Sequence, residues 1–396
     1  MSQSKIFNKL ISSLLSIFVF VLIVDPANRI FGLKSLIFAP LLALFFLKNR
    51  NINKISLSII LIIYLIILCS SVWGFIFQIN TDYKFLIFFM QGFFMLFLLF
   101  WAKHLSLIER TVLPGITVSI IVCIVYNIFY LTDSSSQTGI YELISQQYDG
   151  TMMIGIRNFL GIEYPAVYYS SAPILLIPFG LYLYRLLNYN DKKKFHLIIL
   201  ILMLIPLILG GTRAMMLSTI IIIYFMVIIK FIETKKNILA FLLISMGIMM
   251  LLLAFILLLG DKAEESLSVK MTLLEAFYNH ISEYPATLVF GNGVGATFDS
   301  LGVRGRYAIQ SEWTYLEFIR WFGLPLSIVF IGIYIYPIYL LIKNGKYRPE
   351  KNAMILAYIC YLFLGGTNPY LYSSNGMLVL LIMYSYAMNP QYETRK

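Results

Sequence analysis

The chain has 396 residues, of which 60% are hydrophobic and 12% are charged; an ordinary soluble domain carries about 25% charged residues. This composition excludes a water-soluble fold, because a soluble surface could not hide so much apolar side chain. The formal net charge of +11 indicates basic cytoplasmic loops rather than a nucleic-acid surface, since no basic stripe interleaves with aromatic residues on a polar segment.

Apolar runs predict about twelve transmembrane helices, since a helix needs about 20 apolar residues to cross a bilayer. In chain order the runs lie near 10–24, 35–47, 55–77, 85–101, 113–131, 165–184, 196–210, 214–232, 238–260, 313–342, 354–364 and 376–388. No small-residue cleavage site follows the first run, so it is expected to stay as a membrane helix. The whole chain, 1–396, is predicted to form one all-α transmembrane domain.

Basic residues predict which side each connection faces. If the helices alternate from a cytoplasmic N-terminus, most of the 30 Lys and Arg residues fall on the cytoplasmic side, as is usual in membrane proteins. Both termini are therefore expected in the cytoplasm. Two connections on the other side are long, near 132–163 and 261–311, and loops beyond about 15 residues are generally functional or disordered. We expect both to be folded and functional.

No metal or cofactor is predicted, because the three cysteines lie in apolar runs and the three histidines have no ligand spacing. An anion site is predicted instead at Gly210-Gly211-Thr212-Arg213, which interrupts two apolar runs on the outer side. The glycines permit a tight turn, and Arg213 then falls in the first turn of a helix, where free N–H groups and a guanidinium can bind an anion. The alternative is an arginine that snorkels to the interface.

The longer outer segment contains two further motifs. Its glycine-rich run, 290–295 (Phe-Gly-Asn-Gly-Val-Gly), lacks the spacing of a dinucleotide fingerprint. The run allows either an ordinary close turn or the approach of a substrate to the backbone. Beyond it, Arg304 and Arg306 could clamp a phosphate between two guanidinium groups, or form a solvated basic turn.

Several charges enter the tenth predicted helix. Glu317 lies an i,i+3 step before Arg320, so an ion pair is the simplest account of these two residues. Glu312 has no such partner within its own helix and lies at the helix mouth. A carboxylate there can act as a general base or bind an acceptor, or it can cap the helix.

Aromatic residues accompany charges in the shorter outer segment. Arg157 and Glu163 lie among tyrosines, which suit the faces of sugars but also populate the interfacial belt of any membrane protein. Another outer connection, Gly-Gly-Thr-Asn-Pro-Tyr at 365–370, has no role that the sequence indicates.

Together these motifs resemble the O-antigen polymerase and ligase superfamily. The resemblance rests on about twelve helices, the Gly-Thr-Arg turn after a middle helix, the large outer segment, and Phe-Gly-Asn-Gly-Val-Gly followed by Ser-Glu-Trp-Thr-Tyr-Leu-Glu and Phe-Gly-Leu-Pro. It covers nearly the whole chain. It implies a GT-C-like, metal-independent membrane glycosyltransferase in the bacterial inner membrane, with its active site facing the periplasm. Arg213 matches an arginine of this family that is implicated in diphosphate binding.

One departure from the family separates its two activities. Ligases of the superfamily carry a histidine ahead of the Gly-Leu-Pro turn, at the place that Glu312 occupies here. The resemblance therefore favours the polymerase of a surface polysaccharide such as the O-antigen of lipopolysaccharide. Its donor and acceptor would be glycans on undecaprenyl diphosphate. The ligase, which transfers finished polymer to the lipid A core, is the alternative.

Roles and partners follow from this resemblance. The implied catalytic residues are Glu312 and Arg213, and the implied contacts to diphosphate or sugar are Arg157, Arg304, Arg306, Arg320, Glu163 and Tyr315. Besides the bilayer, the expected partners are a chain-length regulator and a flippase of the same pathway, and not nucleic acid. A different class, a flippase for lipid-linked sugars, would favour charges buried at mid-membrane, which the predicted helix interiors nearly lack.

Overall fold

A computed structural model of the chain describes residues 3–29, 32–48, 53–77, 79–132, 134–159, 162–236, 238–239, 241–247, 265–303, 305–344 and 350–389. The structure is mostly helical, at 77%. Six of the described helical stretches are long and apolar enough to cross a membrane, and shorter apolar helices accompany them. The chain is therefore a helical membrane protein. The long stretches are Ile6–Val24, Lys54–Ile76, Tyr83–His104, Leu107–Leu131, Arg213–Glu233 and Thr314–Lys343.

The first half of the chain alternates helices with one hairpin. Its elements are α1 (Gln3–Val24), α2 (Lys34–Lys48), α3 (Lys54–Ile76), α4 (Tyr83–Phe93) with a 3-10 continuation (Phe94–His104), α5 (Leu107–Arg110), α6 (Val112–Leu131), α7 (Ser134–Gln147), β1 (Met152–Phe159), β2 (Ile162–Tyr169), a 3-10 turn (Ala172–Leu175) and α8 (Leu176–Asn188).

The second half adds a second hairpin and the longest helix. Its elements are α9 (Lys193–Leu209), α10 (Arg213–Glu233), α11 (Glu265–Glu283), α12 (Thr287–Phe290), β3 (Phe298–Gly302), β4 (Gly305–Ala308), α13 (Thr314–Asn344), α14 (Lys351–Gly366) and α15 (Ser374–Met388). We call the end of the bundle that carries the two hairpins the hairpin end.

Capping residues explain where several helices begin. Asn53 and Asp82 precede α3 and α4, and their side-chain oxygens accept hydrogen bonds from backbone N–H groups of the first turn. Ser373 does the same ahead of α15. Such caps satisfy N–H groups that a helix leaves without partners.

The sixth predicted helix begins later than the sequence indicated. Residues near 165–184 were expected to be one helix, but 162–169 pair antiparallel with 152–159, and α8 starts only at Leu176. The aromatic and branched side chains of this strand suit a sheet as well as a membrane helix. The shorter outer segment is thus folded, into α7 and β1. The ninth predicted helix, 238–260, lies largely outside the described residues.

The centre of the bundle is α15, whose residues from Asn375 to Ala387 are all buried. It packs against the stretch Phe94–His104 and against α13, while α8 packs between α9 and α14. By contrast, α3 exposes Leu61, Leu65 and Leu68, an apolar surface suited to lipid.

The helix α13 is broken near its start, at Gly323. This residue has φ 73° and ψ 162°, and a proline follows two positions later, so the carbonyls of Arg320 and Trp321 lose their helical donors. Two N–H groups of the glycine-rich run replace them. Asn292 N donates to Arg320 O at 2.8 Å, and Gly293 N donates to Trp321 O at 2.9 Å. Of the two interpretations of this run, the structure favours the close turn.

Alanine at Gly291 or Gly323 is expected to destabilise the protein by about 3 kcal/mol. Both glycines have positive φ, and a Cβ would lie 2.3 Å from a backbone oxygen, that of Trp321 for Gly291 and that of Val289 for Gly323. Gly332→Ala in the same long helix is the matched control, because a Cβ there has nothing within 4 Å. Thermal unfolding in detergent measures the difference, and equal melting temperatures for Gly291→Ala and Gly332→Ala would contradict it.

Candidate functional site

The β1–β2 hairpin lies directly on the Gly-Gly-Thr-Arg turn. Gly211 has φ 65°, and a Cβ there would lie 2.5 Å from Ala166 Cβ and 3.2 Å from Arg157 Cγ. Only glycine permits this approach. Because Ala166, Tyr164 and Tyr168 alternate along β2, they share the face that meets the turn.

Two of the predicted arginines are brought together by this contact. Arg157 is the cross-strand partner of Tyr164, and Arg213 is the first residue of α10. Burial raises the pKa of Tyr164, and the positive charges of both arginines act on the same hydroxyl in the opposite direction. Next to Arg213, the buried Thr212 Oγ1 has no hydrogen-bond partner among the described residues. Arg157, Arg213 and a hydroxyl donor are thus grouped around one turn, and groups of this kind can bind an anion.

A pair of tyrosines lies beside the Gly-Gly-Thr-Arg turn. Tyr168, from β2, is 2.6 Å from Tyr370 through the two hydroxyl oxygens, and its ring lies 3.9 Å from the position of a Cβ on Gly210. Burial raises the pKa of Tyr168 well above its ordinary value. It also raises the pKa of Tyr370 to about 12, with a smaller rise from the carboxylate of Glu312. The Gly-Gly-Thr-Asn-Pro-Tyr connection, whose role was open from its sequence, therefore contributes Tyr370.

The segment that holds Glu312 is anchored to the same connection. Thr314 Oγ1 donates to Asn368 O at 2.7 Å, which brings Glu312 close enough to act on the Tyr370 hydroxyl. The Glu312 side chain is 24% exposed, and its carboxylate lies 3.9 Å from Lys270 Nζ. A partly exposed acid beside a cation and a tyrosine can accept a proton from a bound hydroxyl.

Lys270 reaches this position because α11 docks on the second hairpin. Trp313 Nε1 donates to Lys270 O at 2.9 Å, and the buried Leu273 and Ala276 of α11 pack against Phe298 of β3. The sequence pattern did not single out Lys270, since its contact with Glu312 crosses 42 positions of chain without any periodicity to mark it.

Two of the predicted site residues serve the scaffold. The Glu317–Arg320 ion pair expected from their spacing is present, at 2.6 Å. Arg320 is fully buried, and its guanidinium also donates to Ala296 O at 2.7 Å and Ile309 O at 2.8 Å. The expected phosphate contact of Arg320 therefore has no support in this geometry. The hydroxyl of Tyr315 likewise donates a hydrogen bond to Leu362 O, at 2.8 Å.

Three predicted contacts remain predictions. Arg304 lies outside the described residues, and so do the side chains of Arg306 and Glu163. Of the predicted residues, the structure brings Arg157 and Arg213 to the same turn, and it links Glu312 to this region through Tyr370 and Tyr168. To them it adds Tyr164, Tyr168, Tyr370 and Lys270. The tyrosines of β2 belong to the aromatic group that the sequence placed around Arg157 and Glu163, but their pairing with Tyr370 was not expected, because part of their strand was taken for the start of a helix.

His280 of α11 lies on the scaffold side of this region. Asn292 Nδ2 donates to His280 Nε2 at 2.6 Å, and Thr287 Oγ1 donates to Asn292 Oδ1 at 3.0 Å. Burial lowers the pKa of His280 to about 4, helped by the positive charge of Arg320 and opposed by Glu283. His280 thus ties α11 to the glycine-rich run in its neutral form.

Acidification is expected to loosen α11. The pKa of His280 is about 4 when docked and about 6.5 when undocked, so the undocked form gains protons first as the pH falls from about 6.5 towards 4, and docking weakens over that window. Hydrogen-exchange protection of α11 amides, corrected for intrinsic rates, should fall several-fold between pH 7 and pH 5. His280→Gln should flatten this dependence; an identical pH profile in wild type and variant would refute it.

Comparisons with known proteins give no match for this chain, whether to family models, to curated proteins or to solved structures.

Proposed function

We propose that this chain is a glycosyltransferase that polymerises oligosaccharide repeat units, carried on undecaprenyl diphosphate, into a surface polysaccharide such as O-antigen. The observation that carries the proposal is the convergence of Arg157 and Arg213 at the hairpin end, with Glu312 reached through Tyr370. This reaction needs cations that stabilise the leaving diphosphate and a carboxylate that takes the proton of the attacking sugar hydroxyl.

The chemistry assigns each group a step. The acceptor hydroxyl forms a bond to the anomeric carbon of the donor glycan, and the bond from that carbon to the diphosphate breaks. Undecaprenyl diphosphate leaves with the electron pair, and Arg157 and Arg213 stabilise its growing charge, helped by the Thr212 hydroxyl. The carboxylate of Glu312 takes the proton of the acceptor hydroxyl.

The proposed location is the inner membrane of a bacterium, with about twelve spans, both termini in the cytoplasm and the hairpin end in the periplasm. The support for a protein of many spans is six long apolar helices and three shorter ones among the described residues. A helix of 16 residues such as α14 is only roughly 24 Å long. It can still belong to a span because most of its side chains face other helices rather than lipid.

Transport of a lipid-linked sugar is disfavoured by where the buried charges lie. Among the described residues, Arg185 ends α8, Glu350 precedes α14, Asp25 follows α1, and Glu317 and Arg320 lie in the first two turns of α13. A transporter is expected to bury charge near mid-membrane, on its substrate path.

A glycan-ladder gel distinguishes the remaining activities. In a strain that lacks this gene, the polymerase proposal expects surface glycan with a single repeat unit, and the ladder returns when the gene is restored. A ligase would instead leave full-length polymer on undecaprenyl diphosphate and none on its final acceptor. Unchanged surface glycan in the deletion strain would refute both.

A further inference from the structure

The tyrosine pair, Tyr168 and Tyr370, lies beside the Gly-Gly-Thr-Arg turn, because the Tyr168 ring is 3.9 Å from the position of a Cβ on Gly210. Tyr168 follows Tyr164 by one alternation on the strand that meets this turn, and the carboxylate of Glu312 acts on the Tyr370 hydroxyl. Both tyrosines are half-buried, so a bound molecule can touch them. A glycan whose diphosphate is bound at this turn would therefore have the pair within reach.

Counting protons shows unused hydrogen-bonding capacity in the pair. Two hydroxyls bring two protons, and the contact of 2.6 Å between them consumes one. Among the described residues neither hydroxyl makes a second hydrogen bond. One O–H donor and several lone pairs are therefore available to a ligand.

A third hydroxyl lies underneath. Tyr361 is 1% exposed, and its hydroxyl has no hydrogen-bond partner within the part of the chain that the structure describes. It interacts electrostatically with both Tyr168 and Tyr370. A buried polar group normally has a partner, so this hydroxyl, at the base of the pair, indicates a place for one more polar molecule or group.

Tyrosines of this kind match the chemistry of a sugar ring. Their hydroxyls exchange hydrogen bonds with sugar hydroxyls, and their rings present apolar faces to the C–H groups of a pyranose. In a lipid-linked glycan the sugar nearest the membrane is bonded directly to the diphosphate. A ligand whose diphosphate is bound by Arg157 and Arg213 would therefore place that first sugar at the tyrosine pair.

We infer that Tyr168 and Tyr370, with Tyr361 beneath them, form the subsite for the first sugar of the donor. This inference rests on the proposed function, since it takes the arginines as the diphosphate site. The two tyrosine hydroxyls, and not the charged residues, would then make a sugar-bearing lipid bind more tightly than the bare lipid diphosphate.

Binding to two lipids tests the subsite in the full-length protein in nanodiscs. The probes are undecaprenyl diphosphate and undecaprenyl diphosphate N-acetylglucosamine. The wild type should bind the second about tenfold more tightly, the contribution of one or two net hydrogen bonds. In Tyr168→Phe/Tyr370→Phe this preference should fall to about twofold or less, while the affinity for the bare lipid stays the same, which also shows that the variant is folded.

Two further variants separate the possible failures. Tyr130→Phe, an exposed tyrosine at the end of α6, should leave both affinities unchanged, and Arg213→Ala should weaken both lipids alike. The subsite is overturned if the double variant keeps the preference for the sugar-bearing lipid, or if the wild type does not show it. If Arg213→Ala binds both lipids as the wild type does, the proposed function fails instead, whatever the tyrosine variants show.

Discussion

Arg213→Ala is expected to reduce polymer synthesis by about 10²–10³-fold, which on a glycan gel leaves single repeat units in place of a ladder. This is the typical effect of removing one preorganised group that stabilises a developing negative charge. Arg213 is the first residue of α10, next in sequence to Thr212, whose hydroxyl has no hydrogen-bond partner among the described residues, and its charge acts on the same tyrosine as that of Arg157. In the variant only the Arg157 cation would remain at this turn, and water would have to replace the lost guanidinium.

A second variant tests whether the loss of any one positive charge is enough to reduce polymer synthesis. Lys84→Ala removes an exposed cation at the start of α4, and it should leave the ladder intact. Arg213→Lys should retain part of the activity, since an ammonium keeps the charge but loses the planar fork that binds two phosphate oxygens. Full-length ladders from Arg213→Ala, at a protein level matched by immunoblot, would remove Arg213 from the site.

Glu312→Gln is expected to lower turnover by about 10²–10⁴-fold, the usual contribution of a positioned general base. The amide keeps the shape of the side chain but cannot take the proton of the acceptor hydroxyl. Because Glu312 is proposed to act on the acceptor hydroxyl and not on the diphosphate, the affinity for undecaprenyl diphosphate should change little. The variant should therefore lower kcat, measured in an assay with purified protein.

Glu275→Gln serves as the matched control, since Glu275 is an exposed acid on α11, the helix that also carries Lys270. It should retain wild-type turnover. If Glu312→Gln turned over within about twofold of the wild type, Glu312 would not be the base, and its contact with Lys270 at 3.9 Å would be structural.

The helices and one ion pair could be predicted from local sequence, because the determining signals lie within a few residues of each other. Long apolar runs predicted the positions of most helices, and the three-residue spacing predicted the contact between Glu317 and Arg320. The prediction of one helix over 165–184 was wrong, because a continuous apolar and aromatic run fits a strand followed by a helix as well as one helix. Only the pairing with 152–159 decides between them, and pairing is a long-range property.

The same reason limited the prediction of the site. Arg157, Arg213 and Glu312 were chosen because each is a charge in an unusual place. The tyrosines around Arg157 were expected to suit a sugar or the interfacial belt, but Tyr168 and Tyr370 are separated by 202 positions, and no local signal pairs them. Their role depends on the turn at Gly211, which sets the distance between two distant segments.

The glycine-rich run also determines which parts of the molecule are able to move. On one side its backbone is bonded to the break in α13; on the other, a Cβ on Gly74 of α3 would lie 2.6 Å from Asn292 O. With backbone against backbone on two sides, the run cannot slide unless α3 and α13 separate. The β1–β2 hairpin meets its neighbours through side chains and one tight glycine turn. In the proposed polymerisation, the displacement that lets a lengthened chain leave and a new unit enter is therefore expected in the hairpin, while the run stays fixed.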